Sequence, residues 1–224
     1  MVGSSDVRSL LDAIDAVRAC TRGVNVDLSP PCICVIGNQS AGKSSILERL
    51  SGVRLPRGEG MVTKCALVLR MRRAVEPVRP FVEIAASGGE PVLIEKAETA
   101  THVERITNEL VRGDDVNADV SIELTVCGEV PDLTLIDLPG IVYTSGDGAG
   151  ATDIREKVKA LYMKYMKDKT CVILCVMPAN ADAATNEALA WAREVDFEGE
   201  RTVGVVTKID KVRARSAARG GVRE

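Results

Sequence analysis

The segment Gly37-Asn38-Gln39-Ser40-Ala41-Gly42-Lys43-Ser44 places two glycines, a lysine and a hydroxyl at the spacing G-x-x-x-x-G-K-[ST]. Those residue types suit one task, the holding of a polyphosphate. Glycines let the main chain wrap closely, so that successive N–H groups point at an anion. A helix opening behind the loop adds partial positive charge at its N-terminus. Lys43 is placed to reach the β- and γ-phosphates, and the Ser44 hydroxyl to ligate magnesium. The competing reading is a chance glycine-rich turn. The flanks argue against it: Cys32-Ile33-Cys34-Val35-Ile36 is a continuous apolar run ending at Gly37, as in a buried parallel strand, and Ser44 to Ser51 is expected to be a helix.

A phosphate loop does not say which nucleotide is held. Thr207-Lys208-Ile209-Asp210 does, because it follows an expected last strand, at the carboxyl edge where such sheets bind ligands. The Asp210 carboxylate can accept both N–H groups of a guanine edge, which adenine lacks, and the Lys208 stem can lie over the base. Alone this tetrad is a weak signal; its order behind the phosphate loop gives it force. Asp137-Leu138-Pro139-Gly140 lies between the two. Asp137 is placed to hold magnesium, through water, and the Gly140 amide to contact the γ-phosphate, although Asp-x-Pro-Gly is also common turn chemistry. Thr63 follows a loop containing Pro56, Gly58 and Gly60 and is placed to close over magnesium and γ-phosphate, as switch loops do.

The elements that must position these residues follow from patterning. Strands are expected over 66–72, 81–85, 121–126, 133–136, 171–177 and 202–206, with helices over 101–111 and 184–195. A further helix carries the stripe Ile154, Val158, Leu161, Tyr162 and Tyr165, with Asp153 and Glu156 read as its capping box. The fold class expected is α/β, a mostly parallel central sheet with helices on both faces. Residues 7–18 have helical spacing, so 1–28 is read as an N-terminal helix, 29–212 as the main domain, and 213–224 as a basic flexible tail.

Composition bounds the rest. The chain has 224 residues, of which 46% are apolar and 27% charged, and its formal charge is −3; nothing there points to nucleic acid as the partner. The polar start lacks the order of a signal peptide, and no apolar run reaches the ~20 residues of a membrane span. Seven cysteines and a single histidine, His102, are read as reduced core thiols and a surface residue, not metal ligands; the expected setting is cytoplasmic.

Four stretches together resemble the dynamin superfamily of large GTPases, a P-loop NTPase fold: Gly37 to Ser45, Leu55-Pro-Arg-Gly-Glu-Gly-Met-Val-Thr63, Asp137 to Gly140 and Thr207 to Asp210. Leu47 to Gly52, Pro131 to Ile141 and Glu194 to Thr202 look closest to the interferon-induced Mx proteins and the dynamins proper, and the similarity covers about residues 7 to 212. The resemblance implies GTP and GDP as ligands, with Gly37 to Ser45 around the phosphates, magnesium at Ser44, Thr63 and Asp137, and hydrolysis when two heads dimerise across their nucleotide sites. By that likeness Gln39 helps place the attacking water, and Ser40 helps hold a monovalent cation that the Gly58 and Gly60 carbonyls share. Thr63 positions water and magnesium, and Asp182 reaches across the dimer. Peripheral association with membranes or microtubules is a family property. Asn38 and the run Ile141 to Gly150 depart from the family pattern. The family also continues past Asp210 with further elements of the sheet and a stalk, so the C-terminal part of the GTPase domain is expected to be missing and the strand ending at Val206 to form an exposed edge. The alternative function is a non-catalytic module that binds GTP or associates with full-length relatives.

Overall fold

The computed structural model describes residues 9, 13, 32–58, 62–74, 76, 78–111, 115–141, 149–183 and 186–211, with backbone alone over 149–152. Ser9 and Ala13 are helical; the remainder of the helix expected over 7–18, the tail 213–224 and Gly60 lie outside the described residues.

The elements run β1 (Cys32–Ile36), α1 (Lys43–Ser51), β2 (Ala66–Arg73), β3 (Phe81–Ala86), β4 (Val92–Ile94), a 3-10 turn (Lys96–Glu98), α2 (Thr99–Leu110), β5 (Ser121–Gly128), β6 (Leu133–Asp137), α3 (Ala149–Met166), β7 (Cys171–Pro178), α4 (Glu187–Val195) and β8 (Thr202–Thr207). They build one eight-stranded sheet in the order β4-β3-β5-β2-β6-β1-β7-β8. β1 lies parallel between β6 and β7, with Cys34 opposite Ile136 and Ile173, and β7 pairs parallel with β8. Four strand ends, Ile36, Asp137, Pro178 and Thr207, therefore meet on one carboxyl edge.

Among the described residues, four of the seven strand pairs are parallel, as expected of an α/β sheet, and three are antiparallel. β2 runs antiparallel to β6, and β3 antiparallel to both β5 and β4. The short β3–β4 hairpin has no long apolar run behind it; Val92 and Leu93 are exposed, and β4 went unseen in the sequence for that reason. The parallel half is the half that carries the site.

Both faces are covered. Leu47 of α1 and Val103 and Ile106 of α2 pack with Val35, Leu69, Leu124 and Leu135 on one side. On the other, Val158, Leu161, Tyr162 and Met166 of α3 and Ala188, Trp191 and Ala192 of α4 pack on Cys34, Ile36, Ile173 and Cys175. That double cover explains why β1 and β7 are apolar without alternation. Trp191 meets Tyr162 edge-on, with ring centroids 5.3 Å apart, a favoured aromatic geometry. The described cysteines are all free thiols, and all but the half-buried Cys32 are buried. His102 is half-buried on α2, 3.7 Å from Glu98 one turn earlier.

Two helix starts differ from expectation. α3 begins at Ala149, so Asp153 and Glu156 sit inside it, and Asp153 pairs with Lys157 at 2.8 Å instead of capping. α4 begins at Glu187, because the Asn186 side chain accepts the Leu189 amide at 3.2 Å and ends the preceding loop. Among the described residues β8 forms one edge of the sheet, with Val203 and Val206 exposed.

Candidate functional site

The loop leaving β1 turns at Gly37, where the strand packs so tightly that a Cβ would sit 2.5 Å from the Val176 carbonyl oxygen. Ser40 then takes a left-handed φ of +58°, rare for a residue with a side chain. Gly42 is the N-cap of α1, whose first turn has no acidic residue and no side-chain cap. The first amides of that helix are left for an outside anion. Lys43 is buried, and its ammonium donates to the carbonyls of Gly37 at 3.2 Å and Asn38 at 3.5 Å.

Two further loops lock onto this one. Gln39 N donates to Ile141 O at 2.9 Å, which brings the turn after β6 against the phosphate loop. Gly140 fills the contact: a Cβ there would lie 2.8 Å from the Gln39 Cα and 3.1 Å from the Lys43 ammonium. From below, the wholly buried Tyr162 of α3 donates its hydroxyl to Pro139 O at 2.8 Å, with Gly37 O at 3.3 Å. At the end of β8, Thr207 Oγ1 donates to Ala41 O and Lys208 Nζ to Ser40 O, each at 2.5 Å. Lys208 also has a left-handed φ, +56°. Strain at two side-chain-bearing residues that touch each other is the kind that functional sites retain.

The result is an open cleft of about 290 Å³ lined by Gln39 to Ser45, Pro56 to Gly58, Val62, Thr63, Gly140 and Lys208. It joins the phosphate loop, the two glycine-bearing turns and Lys208, as the motif spacing requires. Asp210 stands two residues beyond Lys208, exposed, at the start of a helical turn and not in the cleft wall. Asp182 is exposed in the loop after β7, on the same carboxyl edge.

Beside Ser44 lies a smaller space of about 20 Å³ whose walls include Ser44, Thr63 and Asp137. That is room for roughly one water or ion. The three residues offer hard oxygen donors, the set magnesium takes. Thr63 Oγ1 donates to Asp137 Oδ2 at 3.4 Å, while Asp137 Oδ1 is buried with no partner among the described residues. Burial pushes the Asp137 carboxyl up to about 6, against the pull of the Lys43 charge and the Thr63 hydroxyl. Burial likewise lowers Lys43, with Asp137 opposing it. Each group is short of opposite charge, and a polyanion with a divalent cation would supply both.

Three contributors were not singled out in the sequence. Tyr162 read only as part of an apolar stripe, and its hydroxyl contact with Pro139 is long-range. Glu48 and Arg57 entered only as members of the stretches that carry the family resemblance, with no role of their own. In the structure Glu48, on α1, accepts the Leu55 amide at 2.9 Å and pairs with the Arg57 guanidinium.

Residues 33–209 match the family described as "Dynamin family". The chain is 42% identical over 207 residues to an interferon-induced GTP-binding protein Mx of Perca fluviatilis, covering 92% of this chain and 68% of that one. It is 44% identical to Mx2 of Homo sapiens, covering 91% of this chain and 28% of that one, and 44% identical to Mx1 of Equus caballus, covering 92% and 31%. The chain thus spans about a third of the length of most of these relatives. The family match and the shared identity agree with the loop geometry, and the chain belongs to the dynamin family, as an Mx-like member.

Proposed function

We propose that the chain binds GTP with magnesium in the cleft around Lys43 and hydrolyses it. The observation that carries the reading is buried Lys43, in the wall of the larger cleft with Lys208, beside buried Asp137, which lines the small space next to Ser44; their mutual attraction does not offset the water each has lost.

In this reading the amides of Asn38 to Ser45 and the Lys43 ammonium hold the phosphates, and the Gly140 amide meets the γ-phosphate. Ser44, Thr63 and Asp137 hold magnesium, which when bound neutralises charge on the phosphate oxygens. Gln39 orients a water for attack on the γ-phosphorus; the bond to the β–γ bridging oxygen breaks, and GDP and phosphate leave. Ser40, with the Gly58 carbonyl, would hold a monovalent cation, which would supply positive charge beside the phosphates. Such chemistry is mostly positioning and charge stabilisation. Asp210, two residues beyond the cleft-lining Lys208, selects guanine, and Asp182 contacts a second head in a nucleotide-dependent homodimer. On family grounds the protein works in the cytoplasm, at the periphery of membranes or microtubules.

A second reading, a non-catalytic module that associates with longer relatives, draws support from the exposed β8 edge with Val203 and Val206. Calorimetry with GTPγS and ATPγS, with and without magnesium, tests the first reading. We expect guanine-selective, magnesium-strengthened binding that Lys43→Ala abolishes. Equal binding by the variant would refute it. Turnover by the wild type, absent in Lys43→Ala, separates enzyme from module.

A further inference from the structure

The Leu55–Gly58 stretch carries a charge that the reading above does not use. Arg57 lines the phosphate cleft, with its side chain 68% exposed. A free guanidinium there would be drawn to a triphosphate. It is not free. Its Nε donates to Glu48 Oε1 at 3.3 Å, and its terminal nitrogen pairs with Glu48 Oε2. Glu48 stands one turn along α1 from Ser44, its side chain only 13% exposed. Burial alone would raise the Glu48 carboxyl, but Arg57 and the Leu55 amide outweigh it and hold it below the usual range.

The contacts on Glu48 have different chemistry. The Leu55 amide needs only an acceptor oxygen, which a glutamine retains. The Arg57 fork needs a carboxylate with two equivalent oxygens and a charge. Glu48→Gln therefore separates anchoring of the loop's main chain from restraint of its arginine.

We propose, building on the nucleotide reading, that Glu48 is a positioning residue that holds the Arg57 guanidinium off the phosphates, so that this loop presents main chain to the nucleotide instead of a side-chain charge. Charge beside the γ-phosphate would otherwise bind ground state and transition state alike, which tightens affinity without speeding the chemical step. It would also compete with a cation held by main-chain carbonyls.

The test is the affinity of the full 224-residue chain for GTPγS and GDP, by calorimetry with magnesium, in wild type, Glu48→Gln, Arg57→Ala and the double variant. Glu48→Gln should bind GTPγS about 3-fold or more tightly than wild type, with a smaller gain for GDP, on the scale of one charge-assisted contact recovered. Arg57→Ala alone should bind within about 2-fold of wild type, since an exposed arm already paired contributes little. The double variant should lose the gain. A merely structural role for Glu48 predicts weaker binding, so unchanged or weaker GTPγS binding by Glu48→Gln overturns the proposal. So does an Arg57→Ala loss comparable with that of Lys43→Ala, and that second measurement decides the matter even if Glu48→Gln does not fold. Lack of any Lys43-dependent binding in the wild type would overturn the nucleotide reading itself, and this proposal with it.

Discussion

Replacing Asp137 by asparagine should make the ligand-free protein more stable at neutral pH while weakening magnesium-dependent binding. The Asp137 carboxyl titrates at about 6 in the folded chain against an ordinary 3.8, because burial outweighs Lys43 and Thr63. Each tenfold change in a protonation equilibrium corresponds to about 1.4 kcal/mol, so keeping this group ionised costs the fold ~3 kcal/mol. The sign follows from proton counts. Between the two values the folded state binds more protons than the unfolded one, so this group's stability is fully present below 3.8 and is lost as pH rises through 6. Asparagine never ionises, and its oxygen can still accept from Thr63. Its own buried amide takes back part of the gain, roughly 1 kcal/mol. The expected net stabilisation is ~2 kcal/mol at pH 8, fading through pH 5 and absent near pH 4, or about 4–8 °C in Tm for a chain of this size. Thermal and urea unfolding in chelator across pH 4 to 8 reads it. A variant less stable than wild type at pH 8, or a difference independent of pH, would refute the reasoning.

Other substitutions probe the remaining contacts. Gly140→Ala puts a Cβ within 3.0 Å of the Gln39 amide nitrogen and 2.8 Å of its Cα, neither of which can move alone. Overpacking of that kind costs about 1–3 kcal/mol, and we expect GTPγS affinity to fall at least about 10-fold, since 1.4 kcal/mol is tenfold in a binding constant; wild-type affinity in calorimetry would contradict the close packing. Tyr162→Phe removes the donor to Pro139 O from a fully buried site. Leaving that carbonyl unpaired should lower unfolding free energy by roughly 1–3 kcal/mol in urea titrations, and a neutral result would show that water or another group satisfies it. Asp210→Asn should weaken GTP and improve xanthosine triphosphate binding, because the amide donates where xanthine carries an oxygen; competition binding with unchanged preference would remove Asp210 from base selection.

Much of this was legible in the sequence, for definite physical reasons. β1 and β7 are buried on both faces, so Cys32–Ile36 and Cys171–Pro178 read as continuous apolar runs. α1 needs an uncapped N-terminus beside glycine to hold an anion, and Gly42-Lys43-Ser44 states that in one segment. Local requirements of this kind leave local traces. Tyr162 and Pro139 are joined by a contact spanning 23 residues, and Lys208 and Ser40 by one spanning 168. No spacing rule encodes such pairs, and only the assembled sheet brings them together. The antiparallel pairs left less trace for a related reason: strand direction depends on connections, and a three-residue β4 with exposed Val92 and Leu93 leaves almost no pattern.

Lys43 and Asp137 are close enough to shift each other, yet each is perturbed in the unfavourable direction, the lysine downward and the carboxyl upward. Mutual attraction therefore fails to compensate for the water both have lost. A fold optimised for stability alone would do better with an apolar pair of similar volume. Retention of two poorly solvated charges beneath strained Ser40 and Lys208 makes sense if ligand supplies what the protein withholds. Bound nucleotide and metal then stabilise the native state by more than contact alone, because they also relieve this standing cost, and the thermal shift on adding GTPγS with magnesium should exceed that of either component added singly. Should each component alone produce the full shift, the two charges are not jointly awaiting their ligands, and the account of why they are buried fails.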